Sequence, residues 1–280
     1  MFSTFFAGLQ QDLKLVLVAP IFCALFRLAF ILVYRPRKSP RGEWAKWWAC
    51  FRYAFWWGLD FNAYVYLYSL VLVSLPGAFL PEYFTVGNTV RTVGLTAYLV
   101  ILYTAFMGKM IFYYHFHDTF SQTLRLLNHA DKKNLIDIFF NQNHGVWILL
   151  GYIPYVVLCC YGIQYLLATP VFAYVELSSG WWQYDLNVVV LLVSIMGFYW
   201  LRYGGTLDHR KKPEWDEMPA RVKEDTVLSK AAVDDLIALE MVLTAPFDDM
   251  LLHDDAEAEC MMEPVLPTGV ALPTDPLRLF

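Results

Sequence analysis

Long apolar runs alternate with short polar connections over the first two hundred residues. Leu15–Tyr34, Trp57–Leu75, Thr89–Phe112, Val146–Thr169 and Leu186–Tyr203 each approach the length a helix needs to cross a hydrocarbon core of roughly 30 Å. Five spanning helices are therefore predicted. Pro76, Gly77 and Pro81 close the second run. Pro154 lies inside the fourth, where neighbouring helices can satisfy the carbonyl it frees. The flanking segments are amphipathic. Met1–Lys14 places Phe2, Phe5 and Phe6 ahead of Gln10, Gln11 and Asp12, and Trp44–Trp57 alternates aromatics with Lys46 and Arg52. Both read as helices lying at the interface. Tyr113–Gly145 mixes aromatics with charges and predicts one or two more interfacial helices.

Past Gly204-Gly205 the pattern changes. Val222–Leu243 sets Val227, Leu228, Ala231, Leu236, Leu239 and Val242 at helical spacing. That is an amphipathic helix of about six turns. Pro264, Pro267, Pro273 and Pro276 then mark an extended linker running to Phe280. The expected organisation is all-α: a five-span transmembrane domain over residues 1–204 and a soluble helical linker tail over 205–280.

Composition agrees with a membrane protein. Of 280 residues, 58% are hydrophobic and only 17% charged, and the mean hydropathy is +0.42. The 18% aromatic content suits membrane interfaces, where Trp and Tyr collect. The net charge of −5 comes mainly from the tail beyond Glu214, and no continuous basic face argues for nucleic-acid binding. Cys23, Cys50, Cys159, Cys160 and Cys260 match no disulfide framework or metal-site spacing and read as small packing residues. The N-terminus lacks a basic start and a small-residue cleavage site, so the first helix is expected to be retained.

Ionisable groups inside spans are costly and face protein or water rather than lipid. Arg27 lies about two turns before the end of the first span, and Asp60 about one turn into the second, with Asn62 beside it. Antiparallel neighbours would bring Arg27 and Asp60 to one depth, which predicts an Arg27–Asp60 pair. Lys109, His115, His117 and Asp118 fall on the same side, as do the basic connection and the tail. One reading of the cluster is a lock between helices. The other is a polar pocket for an anionic lipid headgroup, with Arg27, Asp60, Asn62, Lys109, His115 and His117 as candidate residues. His115 and His117 at i, i+2 have no evident third ligand, so no metal is expected on them.

Several of these stretches together resemble the N-terminal membrane portion of the lipoteichoic acid synthase family, phosphoglycerol transferases of the alkaline phosphatase/sulfatase superfamily. The resemblance rests on five spans followed by a linker helix and on Arg27 in the first span. It also rests on GLDFNAYVYL at Gly58–Leu67, IFYYHFHDTFS at Ile111–Ser121, and PARVKEDTVLSKAAVDDLIALE at Pro219–Glu240. Asp60 here precedes Phe61, where the family pattern has Phe before Asp. The resemblance implies a bacterial cytoplasmic-membrane anchor beneath an extracytoplasmic catalytic domain. That domain would carry a threonine nucleophile on a divalent, manganese-type metal and move phosphoglycerol from phosphatidylglycerol to a glycan or glycolipid. Thr268 and Thr274 lack a neighbouring acidic and histidine ligand set, so no catalytic residue and no cofactor is assigned here. The expected role is a truncated or separately encoded anchoring and headgroup-presenting module, acting with a catalytic domain in cis or trans.

Charge pulls the other way. Arg35, Arg37, Lys38, Arg41, Lys46, Arg52, Arg125, Lys132, Lys133, Arg210, Lys211 and Lys212 share one side, which the positive-inside rule assigns to the cytoplasm. The family orientation would put the tail outside. A non-enzymatic adaptor or transporter-like protein with a cytoplasmic regulatory tail is the alternative, although the spans lack the paired broken helices of midplane transport sites. An enzyme with its active site among the helices is a third option.

Overall fold

The computed structural model describes residues 2–35, 43–80, 83–121, 124, 132–169, 181–212 and 217–244. The basic residues 36–42, most of the turn before Trp181 and the Pro-rich run to Phe280 lie outside them. Among the described residues every regular element is helical. In chain order the α-helices are α1 (Phe2–Val16), α2 (Val18–Tyr34), α3 (Glu43–Ser69), α4 (Leu75–Phe79), α5 (Tyr83–Phe116), α6 (Lys132–Asp137), α7 (Gly145–Ala168), α8 (Trp181–Arg202), α9 (Ala220–Lys223), α10 (Thr226–Ala232) and α11 (Asp235–Thr244).

Among the described residues four helical stretches are long and apolar enough to cross a membrane: Ala7–Tyr34, Glu43–Gly77, Val86–Phe116 and Gly145–Ala168. The α8 helix contributes a shorter apolar piece, Leu191–Arg202. The surface of α7 argues independently for lipid. Val146, Leu149, Leu150, Ile153, Val157 and Leu158 are all exposed on it. A soluble protein rarely leaves so continuous an apolar face uncovered. The protein is a helical membrane protein.

Two segments expected at the interface are built differently. Residues 2–16 do not form a separate surface helix. Only a turn at Leu17 separates α1 from α2, and the combined helix forms the first candidate span. The polar residues that suggested an interface instead find partners inside the bundle. Asp12 meets Arg91 of α5, and the Lys14 ammonium donates to the carbonyls of Leu166 (3.1 Å) and Thr169 at the end of α7. Trp44–Trp57 is likewise continuous with the second span, and its inner stripe of Cys50, Tyr53, Ala54 and Trp57 is buried. That span passes through a π turn at Leu70–Ser74 into α4, so Pro76 lies inside a continuing helix, and the Leu72 carbonyl four residues before it accepts from the Tyr83 hydroxyl at 3.0 Å instead.

The α3 helix is the hub, packing against α1, α2, α8, α10 and α5. A second seam joins α2, α5 and α7 through aromatics. Phe26 stacks on Phe106 with centroids 4.6 Å apart, and Tyr103 stacks on Tyr155 at 4.6 Å. The tail helix departs most from expectation. Instead of one six-turn amphipathic helix, 220–244 forms α9, α10 and α11. Asp225 caps α10 by accepting from the Val227 and Leu228 amides, and Asp234 accepts from the Leu236 amide at 3.1 Å. Side chains that bond nearby amides compete with helix continuation, which is why the chain breaks there. The resulting α10–α11 hairpin packs into the bundle, with Val227–Ser229 and Ala231–Ala238 all buried.

Candidate functional site

The hairpin tip brings charges together. Lys109 donates to the Val233 carbonyl at 2.8 Å and to the Asp235 carboxylate at 2.7 Å, and its ammonium lies 5.2 Å from the Phe30 ring centre. Arg27 donates from Nε to the Ala231 carbonyl at 2.8 Å, with its guanidinium over Phe51. Both cations thus meet carbonyls at the C-terminal end of α10, where the helix presents unpaired acceptors. Asp234 packs against α3 at Gly58. A Cβ added there would lie 3.2 Å from Asp234 Oδ2, so glycine allows the close approach. Burial pushes the Asp234 carboxyl above its ordinary value, and Asp235 adds to the rise. Arg27, Cys23 and the Leu236 amide pull it back.

The six residues singled out from the sequence divide. Arg27, Asn62 and Lys109 are buried, the first and last against the hairpin. Asn62 donates to the Gly58 carbonyl and accepts from Tyr98. Asp60 lies elsewhere: it pairs with Arg202 of α8 and with Lys212. The expected Arg27–Asp60 pair does not form. Asp60 and Asn62 are two residues apart on one helix, hence on nearly opposite faces, so they cannot serve one pocket. His115 and His117 are exposed at the end of α5. His115 Nε2 lies 3.1 Å from Asn143 Oδ1, and His117 takes a positive φ of 52° where α5 ends. Among the described residues no group of three or more His, Cys, Asp or Glu is placed to hold a metal ion.

A second buried charge site was missed. Arg91, 1% exposed, donates Nε to Asp12 at 2.9 Å and to the Ser69 hydroxyl at 3.0 Å. Its other nitrogens reach Asn88 Oδ1, the Gly8 carbonyl and the Ser74 hydroxyl, while both serines also donate to Asp12. The signal was present: Asp12 and Arg91 both abut apolar runs without a local partner.

Two adjoining cavities open near the Arg27 end. One, of about 460 Å³, lies between α2 and α3 and is mostly apolar. Cys23, Ala24, Phe51, Ala54 and Phe55 line it, with Arg27, Arg52 and Asn62 as polar members. The other, of about 520 Å³, lies between α3 and the Gly204-Gly205 turn, with Arg52, Glu217 and Arg221 in its wall. Both fall in the roughly 300–1,000 Å³ range of small-molecule sites. Comparison with known protein families, curated proteins and solved structures yields no match.

Proposed function

We propose that this chain is a membrane-anchoring and lipid-headgroup-presenting module of a bacterial cell-envelope phosphoglycerol, or related phospho-headgroup, transferase. It acts with a catalytic domain in cis or trans. In this reading α8, Trp181–Arg202, is the fifth span, the chain sits in the cytoplasmic membrane, and its lipid is phosphatidylglycerol-like. The observation that carries the reading is the apolar cavity between α2 and α3, with Arg27 and Arg52 in its lining. An acyl chain needs an apolar slot, and a phosphodiester needs a planar fork of donors. The test follows label from phosphatidylglycerol headgroups into envelope acceptors, in host cells with and without the chain. Headgroup transfer should fall when the chain is removed, and unchanged transfer would overturn the reading.

One observation favours a second reading, an adaptor with a cytoplasmic tail: the basic residues Arg52, Lys132, Lys133, Arg210 and Lys211 share the side on which the spans hand over to the tail. A single cysteine near Phe280 in a Cys-free background separates the two. Labelling by an impermeant thiol reagent on intact cells favours the transferase module. Protection until lysis favours the adaptor.

A further inference from the structure

We propose that Arg52 and Arg221 hold the phosphate of an anionic glycerophospholipid whose acyl chain occupies the cavity between α2 and α3. The inference rests on the headgroup-presenting reading and names its site. The two cavities share Trp48, Arg52 and Trp56, so they form one amphipathic groove along α3. Residues 48, 52 and 56 recur at the i, i+4 spacing of a single helical face. On one side the wall is apolar, formed by Pro20, Cys23, Ala24, Phe51 and Phe55. On the other it is more polar, with Arg52, Arg221 and Glu217 in the lining. The tryptophans mark the boundary, as Trp does at bilayer interfaces.

Of the three arginines lining the groove, Arg27, Arg52 and Arg221, the last two are uncommitted. Lys109 is committed to Asp235, Arg35 to Glu43 and Asp225, Arg202 and Lys212 to Asp60, and Lys230 to Asp118. Arg27 donates into the hairpin. Arg52 and Arg221 are exposed and form no ion pair among the described residues. Against the single Glu217, they leave the polar cavity one positive charge in excess. A glycerophosphodiester neutralises that charge and presents two oxygens to two planar forks. The far wall is fixed by Gly205, whose φ of 88° and close approach to Trp56, 2.4 Å from an added Cβ, exclude any side chain.

The test uses the full chain in lipid nanodiscs and measures lipid retained after extraction. Dioleoyl phosphatidylglycerol is offered against dioleoyl phosphatidylcholine, and free glycerol 3-phosphate is offered separately. Wild type should retain phosphatidylglycerol about tenfold over phosphatidylcholine. Arg52→Ala and Arg221→Ala should each reduce that preference by about tenfold toward parity, the effect of losing one charge-assisted contact. Both side chains are exposed, so folding is spared, and Arg52→Lys should recover part of the preference. Ala24→Phe, which fills the apolar slot, should weaken retention of both lipids. A phosphatidylglycerol preference that survives the Arg52→Ala/Arg221→Ala double variant would overturn this site and leave the headgroup-presenting reading standing. No preference in wild type would overturn both. Glycerol 3-phosphate bound as tightly as the lipid would identify a free-phosphate site and overturn the acyl-chain assignment.

Discussion

Two buried charge sites occupy opposite ends of the same helices and are completed by different parts of the chain. Fifteen residues separate Asp12 from Arg27, about 22 Å of helix at 1.5 Å per residue. Eighteen separate Arg91 from Lys109, about 27 Å. At the first end Arg91 finds every partner within the spans and their continuations: Asp12, Gly8, Ser69, Ser74 and Asn88. At the second end Arg27 and Lys109 find theirs on a segment more than 120 residues further along, the α10–α11 hairpin. One site belongs to the membrane bundle itself. The other docks the tail onto it. A site satisfied from within can be broken only by loosening the bundle, whereas a site satisfied by a separate hairpin can open while the spans stay packed.

The largest expected effect is at the closed site. Arg91→Ala leaves Asp12 buried without its cation, which costs on the order of 3–5 kcal/mol. Because the partners tie α1, α3 and α5 together, the loss should be global: a lower melting temperature in detergent and loss of protection in all the spans. Arg91→Lys should recover only part, since one ammonium cannot reproduce a guanidinium's fork across five partners. A global stability equal to wild type in Arg91→Ala would remove the distinction between the two ends.

At the docked site the same chemistry should have a confined outcome. Asp235→Ala leaves Lys109 buried with the Val233 carbonyl as partner, again on the order of 3–5 kcal/mol. Hydrogen exchange should show the loss in 226–244, with α5 and α7 remaining protected. Exchange rising equally in the spans would show that the hairpin is part of the bundle's core rather than docked on it.

The spans were legible because length and apolarity are local properties, and Arg27 and Lys109 stood out because charge in an apolar run demands a partner. The partner was not legible. Arg27 was matched to Asp60 by depth along antiparallel neighbours, but depth does not fix which face of a helix a residue occupies. Asp60 turns toward Arg202 on α8, while Asn62 turns toward Tyr98 on α5. The hairpin was hidden by its own regularity. Val227, Leu228, Ala231 and Leu236 keep helical spacing, so Asp234-Asp235 read as part of a polar face. Only the side-chain bonds of Asp225 and Asp234 to nearby amides reveal the breaks, and those compete with the helix too subtly for periodicity to detect. The same blindness placed α1 at the interface, because Asp12 looks interfacial until Arg91 is seen.

Protonation separates the ends in a smaller way. Asp234 faces Arg27, Asp235, Cys23 and Tyr98, and burial raises its carboxyl above the ordinary 3.8. A raised value means the docked hairpin holds a proton that the released hairpin gives up. The contribution is therefore fully present below about pH 3.8 and is lost as pH rises through the raised value. Docking should weaken from acid toward neutral pH, read as hairpin exchange corrected for intrinsic rates. Asp234→Asn keeps an acceptor for the Leu236 amide without the charge, so it should flatten that slope and leave the hairpin docked at neutral pH. A hairpin released by Asp234→Asn as fully as by Asp235→Ala would show that the charge of Asp234 is required rather than merely tolerated.

The smallest effect should come from the surface the two regions share. Gly58 lies on α3, which belongs to the bundle, and faces Asp234, which belongs to the hairpin. In Gly58→Ala two contributions oppose each other. Alanine favours the helix by up to about 1 kcal/mol over glycine, a gain for the bundle. Its Cβ would lie 3.2 Å from Asp234 Oδ2 and 3.7 Å from Asp234 Cβ and Cγ, so the carboxylate must yield by a few tenths of an ångström. Because the atom that yields is the end of a side chain, the cost is at the low end of the roughly 1–3 kcal/mol of overpacking. The bundle's melting temperature should therefore hold or rise slightly, while exchange in 226–244 increases. Opposite signs at one residue would be hard to obtain from a single cooperative unit. Gly58→Leu extends the wedge past the carboxylate and should release the hairpin while the spans remain packed; if it unfolds the spans instead, α3 transmits strain between the two ends and they form one cooperative structure.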